Sequence, residues 1–153
     1  MELVYGFFAR YAETTPEGIF NAVGSGFDTI RLDKFPGTVP SLALLVKIKF
    51  PPEECNKTHE IKFRLIRPDG SADVDMGIAS VKAVATAAES PGRGNGYSIC
   101  LLSIYGAEFP SEGLYEVRIL SAEKKVGEIF LQFVGGPAGE GDVANEKSGD
   151  VQE

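Results

Sequence analysis

The chain has one histidine, His59, and two cysteines, Cys55 and Cys100. Cys55 and His59 stand in a C-x3-H spacing with Glu53 and Glu54 beside them, all residue types that bind zinc. A structural zinc site needs four ligands and no second cluster of this kind follows, so PPEECNKTH is expected to be an exposed loop carrying an incidental thiol. Asp69, Asp73 and Asp75 in PDGSADVDM are oxygen donors that could hold calcium between loops. Their spacing departs from the EF-hand pattern, and Asp69 also suits the Pro68-Asp69-Gly70 turn. A Ser/His/Asp or Cys/His device would have to recruit His59. Val23-Gly24-Ser25-Gly26-Phe27 is not a nucleophile elbow, because glycines flank the serine directly and the segment leads from strand to strand; a flexible turn or bulge is expected there. Gly92, Gly94 and Gly96 in GRGNGY run into a strand, whereas a phosphate cradle needs a helix N-terminus, so this too is a loop. Among 22 acids no pair stands out for glycoside chemistry. The expectation is a protein that is not an enzyme, with no cofactor and no metal beyond the calcium candidates.

The elements that would position these groups have a period of two. SLALLVKIKF puts Leu44, Val46, Ile48 and Phe50 on one face and Leu45, Lys47 and Lys49 on the other, one buried and one mostly wet. HEIKFRLIRP turns Ile61, Phe63 and Leu65 inward and Lys62 and Arg64 outward. GYSICLLSIYG is apolar on both faces, as in a central strand covered on each side. LYEVRILSA and KVGEIFLQFV form an antiparallel hairpin joined by Glu123-Lys124, and LVYGFFARY, GIFNAVG and FDTIRL precede them. ASVKAVATAAES (79–90) is alanine-rich enough for a helix but alternates like a strand, and strand is preferred. The fold expected is all-β, a two-sheet antiparallel sandwich of immunoglobulin-like, Greek-key type with roughly seven to nine strands. In FPSEGLY, Gly113 allows a tight path and Tyr115 stands just inside a strand, the placement of a tyrosine corner and so a structural rather than ligand-binding role.

With 153 residues, 43% of them hydrophobic, one domain with a core of its own is expected over residues 1–134. The lone cysteine pair fits reduced thiols in a cytosolic protein better than a disulfide framework. The N-terminus lacks the basic start and apolar run of a signal peptide, and no stretch approaches a membrane span, so a cytoplasmic location is expected. Net charge is −7, and residues 135–153 hold five acids (Glu140, Asp142, Glu146, Asp150, Glu153) against Lys147 alone. So few apolar residues stand among them that they are expected to form a disordered acidic tail. An acidic chain without a basic stripe argues against nucleic acid and against anionic membranes.

Several segments resemble those of an uncharacterised family of small bacterial β-sandwich proteins, a domain of unknown function. They are Tyr11-Ala12-Glu13, Gly24-Ser25-Gly26-Phe27-Asp28, Phe35-Pro36, LALLVKIKFPPEE, HEIKFRLIRPDG and GLYEVRIL, spread over residues 3 to 134. The resemblance implies a fold class and a bacterial cytosolic setting, and carries no activity, ligand or catalytic residue to transfer. Two functions fit: a non-catalytic module that binds an unknown protein partner, or a second copy of itself through a sheet edge; and a small-ligand or calcium-dependent binding domain using loops 69–75 and 91–97.

Overall fold

The structure is a computed structural model that describes residues 1–15, 20–70, 73–82, 84–85 and 94–136, with side chains described for all of these except 73–75, 78–82 and 84–85. Among the described residues, alternating apolar residues set ten strands: β1 (Glu2–Thr14), β2 (Phe20–Phe27), β3 (Thr29–Leu32), β4 (Gly37–Phe50), β5 (Thr58–Ile66), β6 (Asp73–Lys82), β7 (Val84–Ala85), β8 (Gly96–Phe109), β9 (Gly113–Ser121) and β10 (Lys124–Gly135). A short 3-10 turn, Pro52–Glu54, joins β4 to β5. The first sheet has the order β2-β1-β4-β8-β7 and the second β3-β10-β9-β5-β6. The fold is therefore all-β with two sheets, and the second curls into a half-barrel.

One core lies between the sheets. Phe8, Leu44, Val46, Ile48 and Phe50 face it from the first sheet, and Ile61, Phe63, Tyr115, Val117, Ile119, Leu131 and Phe133 from the second. Two glycines let β1 and β10 approach there. A Cβ on Gly127 would stand 2.5 Å from Leu3 Cβ, and one on Gly6 would fall on Ile129 Cδ1. Any side chain at these positions would hold the sheets apart.

Several expectations need correction. Among the described residues the strand count exceeds the expected range by one, because the two-residue β7 follows β6 as a separate strand, while β2 and β3 part at Asp28, where the chain changes sheets. Pairing is antiparallel except between β3 and β10, which run parallel; the Asp28 carbonyl accepts the Gln132 N–H at 2.7 Å where β3 joins that edge. Of the turn or bulge expected between strands at Val23–Phe27, the bulge is what forms, but within a strand: β2 runs through Gly24 (φ 61°) and Gly26 (φ 84°), beside a register shift at Phe8/Ala9. The β9–β10 turn is Ala122-Glu123, both residues left-handed, instead of Glu123-Lys124. Residues 79–82 and 84–85 are strand, and 86–90 lie outside the described residues. β10 continues to Gly135, the first residue of the expected tail, and the Gly136 N–H bonds the Leu32 carbonyl at 3.2 Å; 137–153 lie outside the described residues.

Candidate functional site

The strand expected at the centre of a covered sheet, β8, has only the two-residue β7 beyond it among the described residues. Its outer face joins those of β4 and β1 in register. Opposed residues on paired strands share a face, which builds three rows across the sheet: Tyr5–Lys47–Ile99, Phe7–Leu45–Leu101 and Ala9–Ala43–Ser103. Lys49–Tyr97 and Ser41–Tyr105 extend it at either end. The face expected to be mostly wet is thus apolar at its centre, where Ala9, Ala43 and Leu45 are buried with Phe7 and Leu101 against them. Leu45 was placed on the wet side because two lysines bracket it in sequence; across the strands its neighbours are Phe7 and Leu101.

Four of the five tyrosines surround this patch, and each stays largely in solvent: Tyr5 44% exposed, Tyr11 45%, Tyr97 41% and Tyr105 67%. Tyr5 stacks on Phe7 with ring centroids 6.2 Å apart. The Lys47 ammonium lies 5.0 Å from the Tyr97 ring centre and 5.8 Å from that of Tyr5, within the range of a cation–π contact. It has no ion-pair partner among the described residues. Among the described residues, acids on this face appear at its ends: Glu2 bonds Lys49 at 2.9 Å, and Glu13 accepts the Tyr11 hydroxyl at 2.9 Å, which raises the Tyr11 pKa.

The outer face of the second sheet has the opposite character. Arg118 donates to both carboxylate oxygens of Glu116, at 2.6 and 3.1 Å, and holds that carboxyl down to about 2 despite its partial burial. Lys125 pairs with Glu128 and Glu116, and Lys62 with Glu123 at 2.7 Å. Here charge partners charge, the pattern of a solvated surface, with the exposed Leu114 and Phe130 standing among the ion pairs.

The residues singled out for chemistry fall elsewhere. His59 Nε2–H donates to the Glu54 carbonyl at 2.7 Å and its ring packs 5.0 Å from Phe50, so it secures the 3-10 turn. Cys55 is buried rather than exposed, its Sγ 3.4 Å from the Pro51 carbonyl oxygen. Burial pushes the Cys100 thiol up to about 11, and both cysteines are free. Among the described residues no three His, Cys, Asp or Glu side chains group as a metal site. Of the calcium candidates, Asp69 is exposed in its turn, where the Gly70 N–H bonds the Arg67 carbonyl at 2.9 Å. Asp73 and Asp75 belong to β6 instead of a loop, opposite Ile66 and Arg64; their side chains lie outside the described residues. The expected loop 91–97 is shorter too, since Gly96 and Tyr97 begin β8 and 91–93 lie outside the described residues. Tyr115 is fully buried; its hydroxyl donates to the Ser111 carbonyl at 2.8 Å and its ring meets Phe109 and Phe133 edge-on. Gly113 (φ 132°) lies so close to Pro68 that a Cβ would come within 2.6 Å of its ring.

Compared with known protein families, residues 4–134 match DUF6941, described as a family of unknown function. The chain belongs to this family. No curated protein matches it. The DUF6941 span contains the four tyrosines of this face, from Tyr5 to Tyr105, together with nearly all of both sheets. Sequence reasoning passed over this face, although the signal was present: GYSICLLSIYG is apolar on both sides, and a strand of that kind next to a sheet edge keeps one apolar side for something outside the sheet.

Proposed function

We infer that this DUF6941 domain is a non-catalytic module that docks another protein on the outer face of β1, β4 and β8. The observation that carries this reading is the concentration of four exposed tyrosines around Phe7, Leu45 and Leu101, opposite a second face laced with ion pairs. Tyrosine supplies a large, stiff, amphipathic contact at low entropic cost and is enriched where interfaces bind most tightly. The partner's contact is a mainly apolar surface with an acidic side chain opposite Lys47, because the row beside the apolar centre holds that cation and, among the described residues, no acid. The finer fold description, an immunoglobulin-like Greek-key sandwich, is supported by the tyrosine corner at Ser111–Tyr115, while the parallel β3–β10 pair departs from it. A cytosolic, bacterial setting is supported by the two free buried thiols and the segments that resemble a bacterial family.

The test is affinity capture from the native host with three baits: the natural chain, a Tyr97→Asp/Tyr105→Asp face variant, and a Lys62→Ala/Glu123→Ala variant of the opposite sheet. The reading expects a protein held by the first and third baits and lost from the second. Equal recovery on all three would move docking off this face. Turnover of an ester or phosphate substrate by the pure protein, with nothing captured, would contradict the module reading itself.

A further inference from the structure

A separate feature lies at the edge where the chain passes from one sheet to the other. Because β2 ends at Phe27 and β3 begins at Thr29 in the opposite sheet, the layers part there and leave a cleft of about 610 Å³. Its apolar lining comes from Phe27, Ile30 and Val39, and its polar lining includes Arg10, Arg31 and Ser25. Alternation along β1 puts Arg10 on the same side as the inward-facing Phe8, at the point where the core gives way to the opening. Arg10 is held in place twice. Its backbone carbonyl accepts the Ser41 hydroxyl at 2.8 Å, and its side chain lies across Gly24, where an added Cβ would meet Arg10 Cγ and Cδ at 3.2 Å. Gly24 at φ 61° thereby leaves room for the guanidinium stem.

Among the described residues neither Arg10 nor Arg31 has an acidic partner within ion-pair distance, in a chain of net charge −7. A guanidinium fork matches a carboxylate or phosphate in geometry and charge. The apolar lining would take the rest of such a molecule, and the volume falls within the ~300–1,000 Å³ typical of small-ligand clefts. We propose that this cleft binds a small amphipathic oxyanion, with its carboxylate or phosphate head on Arg10 and Arg31 and its apolar body against Phe27, Ile30 and Val39. The site is independent of the tyrosine face and differs from the loops 69–75 and 91–97 named from the sequence.

The test titrates four probes, phenylacetate, phenyl phosphate, benzyl alcohol and inorganic phosphate, into the natural chain, following melting temperature and the amide resonances of Gly24 and Ser25. Phenylacetate or phenyl phosphate is expected to raise the melting temperature saturably and move those resonances, the tighter of the two identifying the head group. Benzyl alcohol and inorganic phosphate are expected to bind at least tenfold more weakly. Arg10→Gln and Arg31→Gln, singly and together, are expected to weaken the anion at least tenfold. Both residues are exposed, so unliganded melting temperatures near that of the natural chain verify folding, and the single variants carry the test if the double variant melts early. Binding of benzyl alcohol as tight as that of the anions, binding of inorganic phosphate as tight as that of phenyl phosphate, undiminished binding by the variants, or no response to any probe at millimolar concentration would overturn the proposal.

Discussion

Tyr115 shows how one side chain can hold a junction. The chain leaves β8 at Phe109, turns through Pro110–Glu112 and enters β9, and the Tyr115 hydroxyl ties that turn to its own strand through the Ser111 carbonyl. Tyr115→Phe keeps the ring packing and removes this bond together with the hydroxyl's 3.4 Å contact to Ser111 Oγ, so it should cost about 1 kcal/mol in a urea titration. A change indistinguishable from zero would mean the turn is held by packing alone. Glu116, the next residue, makes stability depend on acid. Its carboxyl titrates near 2 when folded because Arg118 is bonded to it, against an ordinary 4.5 when unfolded. A depressed folded value means that the stabilisation is complete above about 4.5 and is lost as pH falls toward about 2. Glu116→Gln should therefore lower the urea midpoint at neutral pH and flatten its fall across that acid window. An unchanged acid limb in the variant would show that other carboxylates control it. The corner was legible at this scale because Gly113 and Tyr115 have the required spacing. The role of His59 was not, since its partner is a backbone carbonyl that no residue pattern encodes.

Strand periodicity marked most elements at close to their true limits, and the misses have physical causes. β2 and β3 look like two strands parted by a glycine turn or bulge, yet the bulge lies within β2 and the break falls at Asp28. Local residue types cannot decide this, because the change of sheet depends on where β10 lies. The β9–β10 turn was placed one residue late for a related reason: Ala122 and Glu123 both take left-handed angles, φ 48° and 63°, that neither residue type favours. Ala122→Asn should relieve that strain and raise stability by roughly 0.5–1 kcal/mol, measured by denaturant midpoint, with Glu123 kept for its bond to Lys62. Destabilisation would mean that the turn is not left-handed at this residue. At the crossing of β1 and β10, Gly127→Ala should cost about 1–3 kcal/mol, because the new methyl meets Leu3 Cβ, an atom that cannot rotate away. A neutral result in the same titration would show the sheets able to separate there.

At the scale of the whole molecule, two outer faces of unlike chemistry enclose one core. The second sheet turns Glu116, Arg118, Lys125 and Glu128 outward as mutual partners, which keeps that side in water. The first turns out tyrosines around a small apolar patch and a cation that has no ion-pair partner among the described residues. The sequence contained all of these residues, but the patch exists only once Phe7, Leu45 and Leu101 stand side by side across three strands. Membership of DUF6941 covers that assembly and supplies no activity for it. The most direct test is the affinity of the captured partner for Tyr105→Ala, the most exposed of the four tyrosines, with the melting temperature recorded alongside. A docking face predicts an unchanged melting temperature and an affinity lower by about tenfold or more, as at a binding hot spot. Full affinity in a variant that folds normally, and again with Tyr97→Ala added, would contradict it.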